Sequence, residues 1–318
     1  MLRLWIATSV VAGFVLLVGA VLAAPLPRDL PPAAGQERTL AITKEVGITF
    51  CWIPAGECQL GSTKKEQEMV EESQLQVLII HRVKPQEIAR MMAKKDRSGW
   101  KRESEATRGK FTTRGFWLGK FQVTQEQWFA VMGDDDLPFA FRKGGKSEKL
   151  VAGLETRNFP AESVTWDECV AFAGKLQERL GRDAGIVRLP HENEWEYACR
   201  GGKGNGTPYY FGSACNGKEG NCFGVYPMGD AGRGKSVGRL TAVGSYAKVS
   251  PHPWGLCDMG FNVREWCENP FAKDSELRTA RGGYWAANPW QCRSATRWSV
   301  EPSERTWDTG LRVVLSPQ

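Results

Sequence analysis

The sequence predicts a fold of short helices and strands with a large share of irregular chain, and three observations predict it. There are 35 glycines and 13 tryptophans in 318 residues, a pairing that suits long connections pinned by buried indoles. Two segments, Thr124 to Gln127 and Thr165 to Glu168, have the S/T-x-x-E/Q form that opens helices. From Gly201 onward no long apolar period survives, only short strand-like pieces between glycines and prolines. With 42% hydrophobic and 25% charged residues the chain can bury a core, which excludes the disordered and fibrous classes.

The chain opens with Met1-Leu2-Arg3, an uncharged run from Leu4 to Ala24, and small residues at Val21-Leu22-Ala23-Ala24. This is the pattern of a secretory signal over residues 1–24, removed near Ala24 or Pro25. The run is also long enough to span a bilayer, so an uncleaved copy would be a signal anchor. The expected location is therefore periplasmic or extracellular, with membrane contact only if the segment stays. Residues 25–45 begin with four prolines before Gly35 and read as a linker.

Val46 to Pro54 is apolar and β-branched before Ala55-Gly56 and reads as a strand and turn. Residues 64–110 differ in kind: Lys64 to Arg114 holds 13 basic and 8 acidic residues, most of the net charge of +6. A charged surface insertion is expected there, helical around Gln86 to Ala93, with a solvated face. The rest of the chain is nearly balanced in charge, and nothing in it calls for a nucleic-acid partner. Phe116 to Val123 is a second strand, and Thr124 opens a helix through Trp128 and Met132 that Gly133 stops. Thr165 opens a third element, with Cys169, Phe172, Leu176 and Leu180 at helical spacing and Gly181 beyond its end. A short helix from Pro190 should carry Trp195 and Tyr197 or Ala198 inward before Gly201-Gly202.

The nine cysteines are Cys51, Cys58, Cys169, Cys199, Cys215, Cys222, Cys257, Cys267 and Cys292. An exported context permits disulfides, the local pairs Cys51 with Cys58 and Cys215 with Cys222 being candidates, and the odd count leaves a thiol over. No CxxC occurs and His81, His191 and His252 are scattered, so zinc is not expected. There is no G-x-S-x-G, P-loop or H-E-x-x-H word.

Several words punctuate the chain in order: Trp52-Ile53-Pro54-Ala55-Gly56-Glu57, Phe116-Trp117-Leu118-Gly119-Lys120, Arg188-Leu189-Pro190-His191-Glu192-Asn193-Glu194-Trp195, Trp254-Gly255-Leu256-Cys257-Asp258-Met259, Asn262-Val263-Arg264-Glu265-Trp266, Arg281-Gly282-Gly283 and Gly310-Leu311-Arg312. In these the chain resembles the formylglycine-generating enzymes, or sulfatase-modifying factors, over residues 46–315 apart from the insertion, within a domain expected at residues 46–318. The resemblance implies one α+β domain of the C-type-lectin-like formylglycine-generating-enzyme fold, rich in irregular structure. The element reading above agrees with it.

It also implies chemistry, and here the chain departs. In the active enzymes two cysteines after Arg-Gly-Gly bind copper(I), a soft ion suited to thiolates, and a sulfatase cysteine in a Cys-x-Pro-x-Arg motif is oxidised to formylglycine. The first of these positions is Ala287; only Cys292 remains, the one catalytic candidate if the chain is active. Tyr284 stands where the family has serine, and Arg264 where it has a pocket-lining tryptophan. Copper is accordingly not expected. One calcium ion is expected, on the side chains matching Asp258 and Glu265 and the carbonyls matching Phe261 and Val263, with hard oxygens throughout. Phe261 replaces a glycine, and Gly260 beside it can absorb the turn. The family's other calcium site has Asn221 but meets Lys235 at its acidic position, so it is expected to be lost.

The function read from these residues is an exported binding module for a protein, peptide or glycan. Tyr284, Trp285, Trp290, Arg264, Arg293 and Arg297 are its candidate contacts, since large aromatics and guanidiniums dominate binding hot spots. An acidic peptide or anionic sugar would suit such a cradle. The alternative is a copper-dependent oxidase acting through Cys292. A third reading is an envelope-assembly component docked by its insertion.

Overall fold

The computed structural model describes residues 31–87, 90, 106–133 and 139–317. The signal-like run of residues 1–24 lies outside the described residues, as does most of the stretch expected to be helical around Gln86 to Ala93, of which Gln86, Glu87 and Arg90 are described and helical. Among the described residues no helix is long and apolar enough to cross a membrane.

Two curled sheets carry the fold. The first has five strands in the order β1 (Glu37–Ala41), β2 (Gly47–Leu60), β3 (Gly109–Gly119), β9 (Val314–Ser316) and β4 (Ile186–Arg188), all antiparallel. In β2 the side chains alternate between two buried faces. Phe50 and Trp52 join Trp128, Phe172 and Leu176 on one side, while Cys51 and Ile53 join Trp195, Tyr197 and Trp254 on the other. A strand buried on both faces is apolar without a polar alternate, which is why Val46 to Pro54 is legible as a strand. The linker expected through residue 45 ends earlier. Glu37–Ala41 pairs with Gly47 to Cys51 as an edge strand, its Glu and Arg exposed as edges require.

The second sheet has the order β7 (Arg297–Val300), β6 (Arg278–Arg281), β5 (Arg264–Pro270) and β8 (Thr309–Gly310). Helices α2 (Gln125–Met132) and α3 (Trp166–Leu180) begin at the expected capping boxes of Thr124 and Thr165 and end at Gly133 and Gly181. Trp128 and Phe172 stack between them, ring centroids 5.2 Å apart. Helix α4 (Glu192–Cys199) is capped by the His191 ring, which accepts from Asn193 N, and it buries Trp195, Tyr197 and Ala198 as its pattern foretells.

The charged insertion corrects its reading as a solvated face. Its first part is α1 (Lys64–Ile80), capped by Thr63, with Glu66, Val70 and Ser73 buried. Val70 packs on Tyr209, Trp290 and Cys292, and Glu66 accepts from Arg293 at 2.7 Å. The signal was present: Thr63-Lys64-Lys65-Glu66 has the capping-box spacing.

Long irregular connections fill the rest, pinned by buried charge. Glu196, fully buried, accepts from Gly61 N at 2.7 Å, Arg200 Nε at 2.9 Å, Arg108 Nη2 at 2.6 Å and Arg281 Nη2. Arg281 also donates to the carbonyls of Ser294, Ala295 and Thr296. The arginine of the Arg-Gly-Gly word is thus a structural tie between helix α4 and the loop that follows Cys292.

Candidate functional site

Three of the four residues expected to hold calcium come together. Gln122 Nε2 lies 2.9 Å from Phe261 O, 3.0 Å from Val263 O and 3.0 Å from Glu265 Oε1. Three of the four predicted ligand atoms therefore face one point. An amide nitrogen has two hydrogens for these three acceptors, while Gln122 Oε1 and Asp258 Oδ1 are buried without partners among the described residues. Asp258 Oδ2 accepts from Gly244 N at 2.6 Å, and burial pushes the Asp258 carboxyl up to about 6. Glu265 is held by Arg312 at 2.8 and 2.9 Å and by Trp195 Nε1 at 2.6 Å. The amide ends of a glutamine are interchangeable in shape. Turned about, Gln122 would offer its unpartnered oxygen to the same point as the two carbonyls and Glu265, hard oxygens of the kind calcium takes. Among the described residues no three His, Cys, Asp or Glu side chains gather as a metal site of side chains alone would need; half of this set is backbone.

Gly260, at φ +92, takes the turn that Phe261 cannot, and its missing Cβ leaves room for Cys292 O. At the second family site Asn221 Nδ2 is spent on Arg239 O and Asn262 Oδ1, both at 2.9 Å.

The thiol pair that the family uses for copper is not completed at residue 287. Ala287 is buried and presents a methyl, and its N–H donates to Tyr284 O at 2.9 Å. Cys292 is buried in an apolar cluster with Tyr209, Phe261 and Trp290, its sulfur 3.6 Å from Asn288 O. Gly283 is glycine because a Cβ there would lie 2.4 Å from that sulfur. No donor at residue 287 completes a pair with Cys292.

The six expected binding residues divide. Trp290 is core, under helix α1. Arg293 is buried against Glu66 and Ser62, and Arg297 forms a two-pronged pair with Glu192 at 2.6 and 2.7 Å. These three are internal ties. Tyr284, Trp285 and Arg264 converge with two residues left outside that set, Trp298 and Trp307. The Trp285 and Trp307 rings are 4.9 Å apart, with Tyr284 6.0 Å from Trp307 and 6.1 Å from Trp298. Arg264 lies over Tyr284 and Trp298 at 5.4 and 5.0 Å, and its charge is met by Asp308 at 2.6 Å. The one expected guanidinium on this surface is thus paired with a carboxylate. Trp307 is 41% exposed, and Trp285 Nε1 has no partner among the described residues.

Behind this surface sits Glu162, which spacing gave no reason to single out. It accepts from Phe141 N at 3.0 Å and Ser163 Oγ at 2.6 Å, and Phe141 packs edge-on against Trp285. Burial drives its carboxyl up to about 7 against those hydrogen bonds, with Asp308 adding to the rise. Ser163 holds φ +59, a conformation that costs a non-glycine residue energy and recurs at functional sites.

Residues 42–317 match the family model of the sulfatase-modifying factor enzyme 1-like domain. The chain belongs to that family. Among curated proteins, this sulfatase-modifying-factor-like chain is 26% identical over 244 residues to a protein named chaperone protein LppX of Paenibacillus barcinonensis, covering 64% of this chain and 81% of that one. It is 27% identical over 224 residues to the mouse inactive C-alpha-formylglycine-generating enzyme 2, covering 67% of each. It is also 27% identical over 189 residues to a formylglycine-generating enzyme of Thermomonospora curvata, covering 50% of this chain and 56% of that enzyme. Among solved structures it has the fold of PvdO from Pseudomonas aeruginosa, with TM-score 0.62 and 20% identity over 90% of this chain and 100% of PvdO. The α+β formylglycine-generating-enzyme fold expected from the sequence is the fold present.

Proposed function

We infer that this sulfatase-modifying-factor-like domain is an exported binding module without formylglycine-generating oxidase activity. The observation that carries the reading is the pairing of Ala287, a buried methyl at the first copper position, with a half-exposed aromatic surface made by Tyr284, Trp285, Trp298 and Trp307 on either side of it in sequence. Relatives named as an inactive enzyme and as a chaperone support it, since the fold serves elsewhere under names other than an active oxidase. Because Arg264 is neutralised by Asp308, the ligand is held by ring faces and not by charge. A protein or peptide segment, or a glycan whose sugar faces stack on indoles, fits that chemistry.

Binding of wild type and Trp307→Ala to peptide and glycan arrays tests this. Trp307 is exposed, so its loss should leave melting unchanged and weaken every ligand found by roughly 30-fold or more, the scale of a hot-spot residue. Ligands bound equally by both proteins would contradict the site.

The same domain is proposed to hold one calcium ion on Asp258, Glu265 and the carbonyls of Phe261 and Val263. Bound ion would spread the charge of these oxygens and fix the loop from Asp258 to Glu265, which leads into strand β5 and Arg264. Calcium at a hundred times its dissociation constant should add about 2.7 kcal/mol by binding only the native state. Melting should rise with calcium and fall with chelator; equal midpoints would contradict the site.

A further inference from the structure

The cluster that buries Cys292 contains two more thiols, Cys215 and Cys222, together with Tyr209, Met228, Ala287 and Trp290. All three are free in this structure. Their segments are held side by side by backbone: Phe223 N donates to Ala287 O at 2.8 Å, which sets Cys222 beside the residue whose thiol is missing. Cys292 arrives from the other side, in the space that Gly283 leaves open. Cys222 is buried in one cluster with both Cys215 and Cys292. One thiol therefore has two possible partners and can join only one.

The partners differ in what a bond would do. Cys215 and Cys222 are seven positions apart, in a loop already closed by reciprocal bonds between Cys215 and Met228 at 3.0 and 2.9 Å. Cys222 and Cys292 are seventy positions apart, and a cross-link stabilises more when it closes a longer loop. The Cys51 with Cys58 pair that short spacing suggested is excluded outright. Both lie on strand β2, opposite Leu118 and Phe111, so their Cα atoms are roughly 20 Å apart where a disulfide tolerates about 7 Å.

We propose that Cys222 and Cys292 form a disulfide in the mature protein, leaving Cys215 as a thiol. Two S–H bonds break and one S–S bond forms, releasing two protons and two electrons. The electrons pass to a disulfide oxidant, such as a dithiol oxidase or oxidised glutathione, which is reduced to two thiols as the chain folds. The bond would staple the loop before Phe223 to the segment that carries Tyr284 and Trp285, and so set the floor of the aromatic surface. It does not depend on which ligand that surface takes.

The full chain, produced in an oxidising compartment and purified without reductant, is denatured in alkylating reagent and mapped by mass spectrometry. The expected result is a cross-linked peptide pair holding Cys222 and Cys292, with Cys215 alkylated. A Cys215 with Cys222 link, or all three cysteines alkylated with or without bound copper, would overturn it. In parallel, reductant should lower the melting temperature of wild type and Cys215→Ser by several degrees and leave Cys222→Ser unmoved. Equal sensitivity in all three would also overturn it.

Discussion

Glu196→Ala is expected to destabilise the domain by about 3–5 kcal/mol, the scale measured when one partner of a buried ion pair is removed. Glu196 is fully buried, as are Arg200 and Arg281, which it pairs, and Arg108 reaches it at 2.6 Å. Burial alone would raise its carboxyl, but Arg281, Arg200 and Arg108 outweigh that and hold it at about 2. Alanine would leave two guanidiniums deep in the fold without a counter-charge, and would orphan Gly61 N, where the chain leaves strand β2 for helix α1. Glu196→Gln should recover only part of the loss, because it restores an acceptor and no charge. Chemical denaturation of both variants checks this, with Glu57→Ala as the contrast. Glu57 pairs Lys110 with both side chains more than half exposed, and such a pair contributes at most about 1 kcal/mol.

The second large effect is a pH dependence. Glu162 has a folded value of about 7 against an ordinary 4.5, so the unfolded chain gives up its proton first. Stability from this group is therefore intact below pH 4.5, falls as pH rises toward 7, and is lost above, by about 3 kcal/mol in all. Glu162→Gln stays neutral throughout. The stability difference between wild type and variant should move in the variant's favour by that amount across pH 4.5 to 7 and be flat above. His252, which burial pushes down to about 3, works in the opposite direction: its contribution is full above 6.5 and lost as pH falls. Asp258, raised to about 6, works with Glu162. Both are common to wild type and variant, so the difference isolates Glu162. A difference independent of pH would show that Glu162 is ionised in the fold.

Most of the regular structure was legible because its signals are local. Thr124 and Thr165 cap helices at the spacing that marks them, and Phe50 to Ile53 is apolar on both faces as a doubly buried strand must be. The edge strand Glu37–Ala41 was hidden by its own composition, since charge on an exposed edge looks like linker. Helix α1 was hidden by the charge of its outer face, although Thr63 and Glu66 announced its start.

The site was half legible for a different reason. Sequence gives the residue types that bind, but the three arginines among the expected contacts differ only in where an acidic partner lies far along the chain: Glu66 for Arg293, Glu192 for Arg297, Asp308 for Arg264. Nor does spacing show that Gln122 would face the carbonyls of Phe261 and Val263, or that Phe141 would bring Glu162 behind Trp285. Trp285, Trp290, Trp298 and Trp307 all fall in the candidate stretch from Tyr284 to Trp307, and only the fold decides that Trp290 is buried and Trp307 exposed.

The family fold is kept here, and we propose that an aromatic binding surface serves in place of the family's copper chemistry. Incubating the purified protein with a Cys-x-Pro-x-Arg peptide, copper(I) and oxygen, and following the peptide by mass spectrometry, tests it most directly. An unchanged peptide mass is expected. Conversion of the cysteine to formylglycine that requires copper and oxygen and is abolished by Cys292→Ala would contradict it.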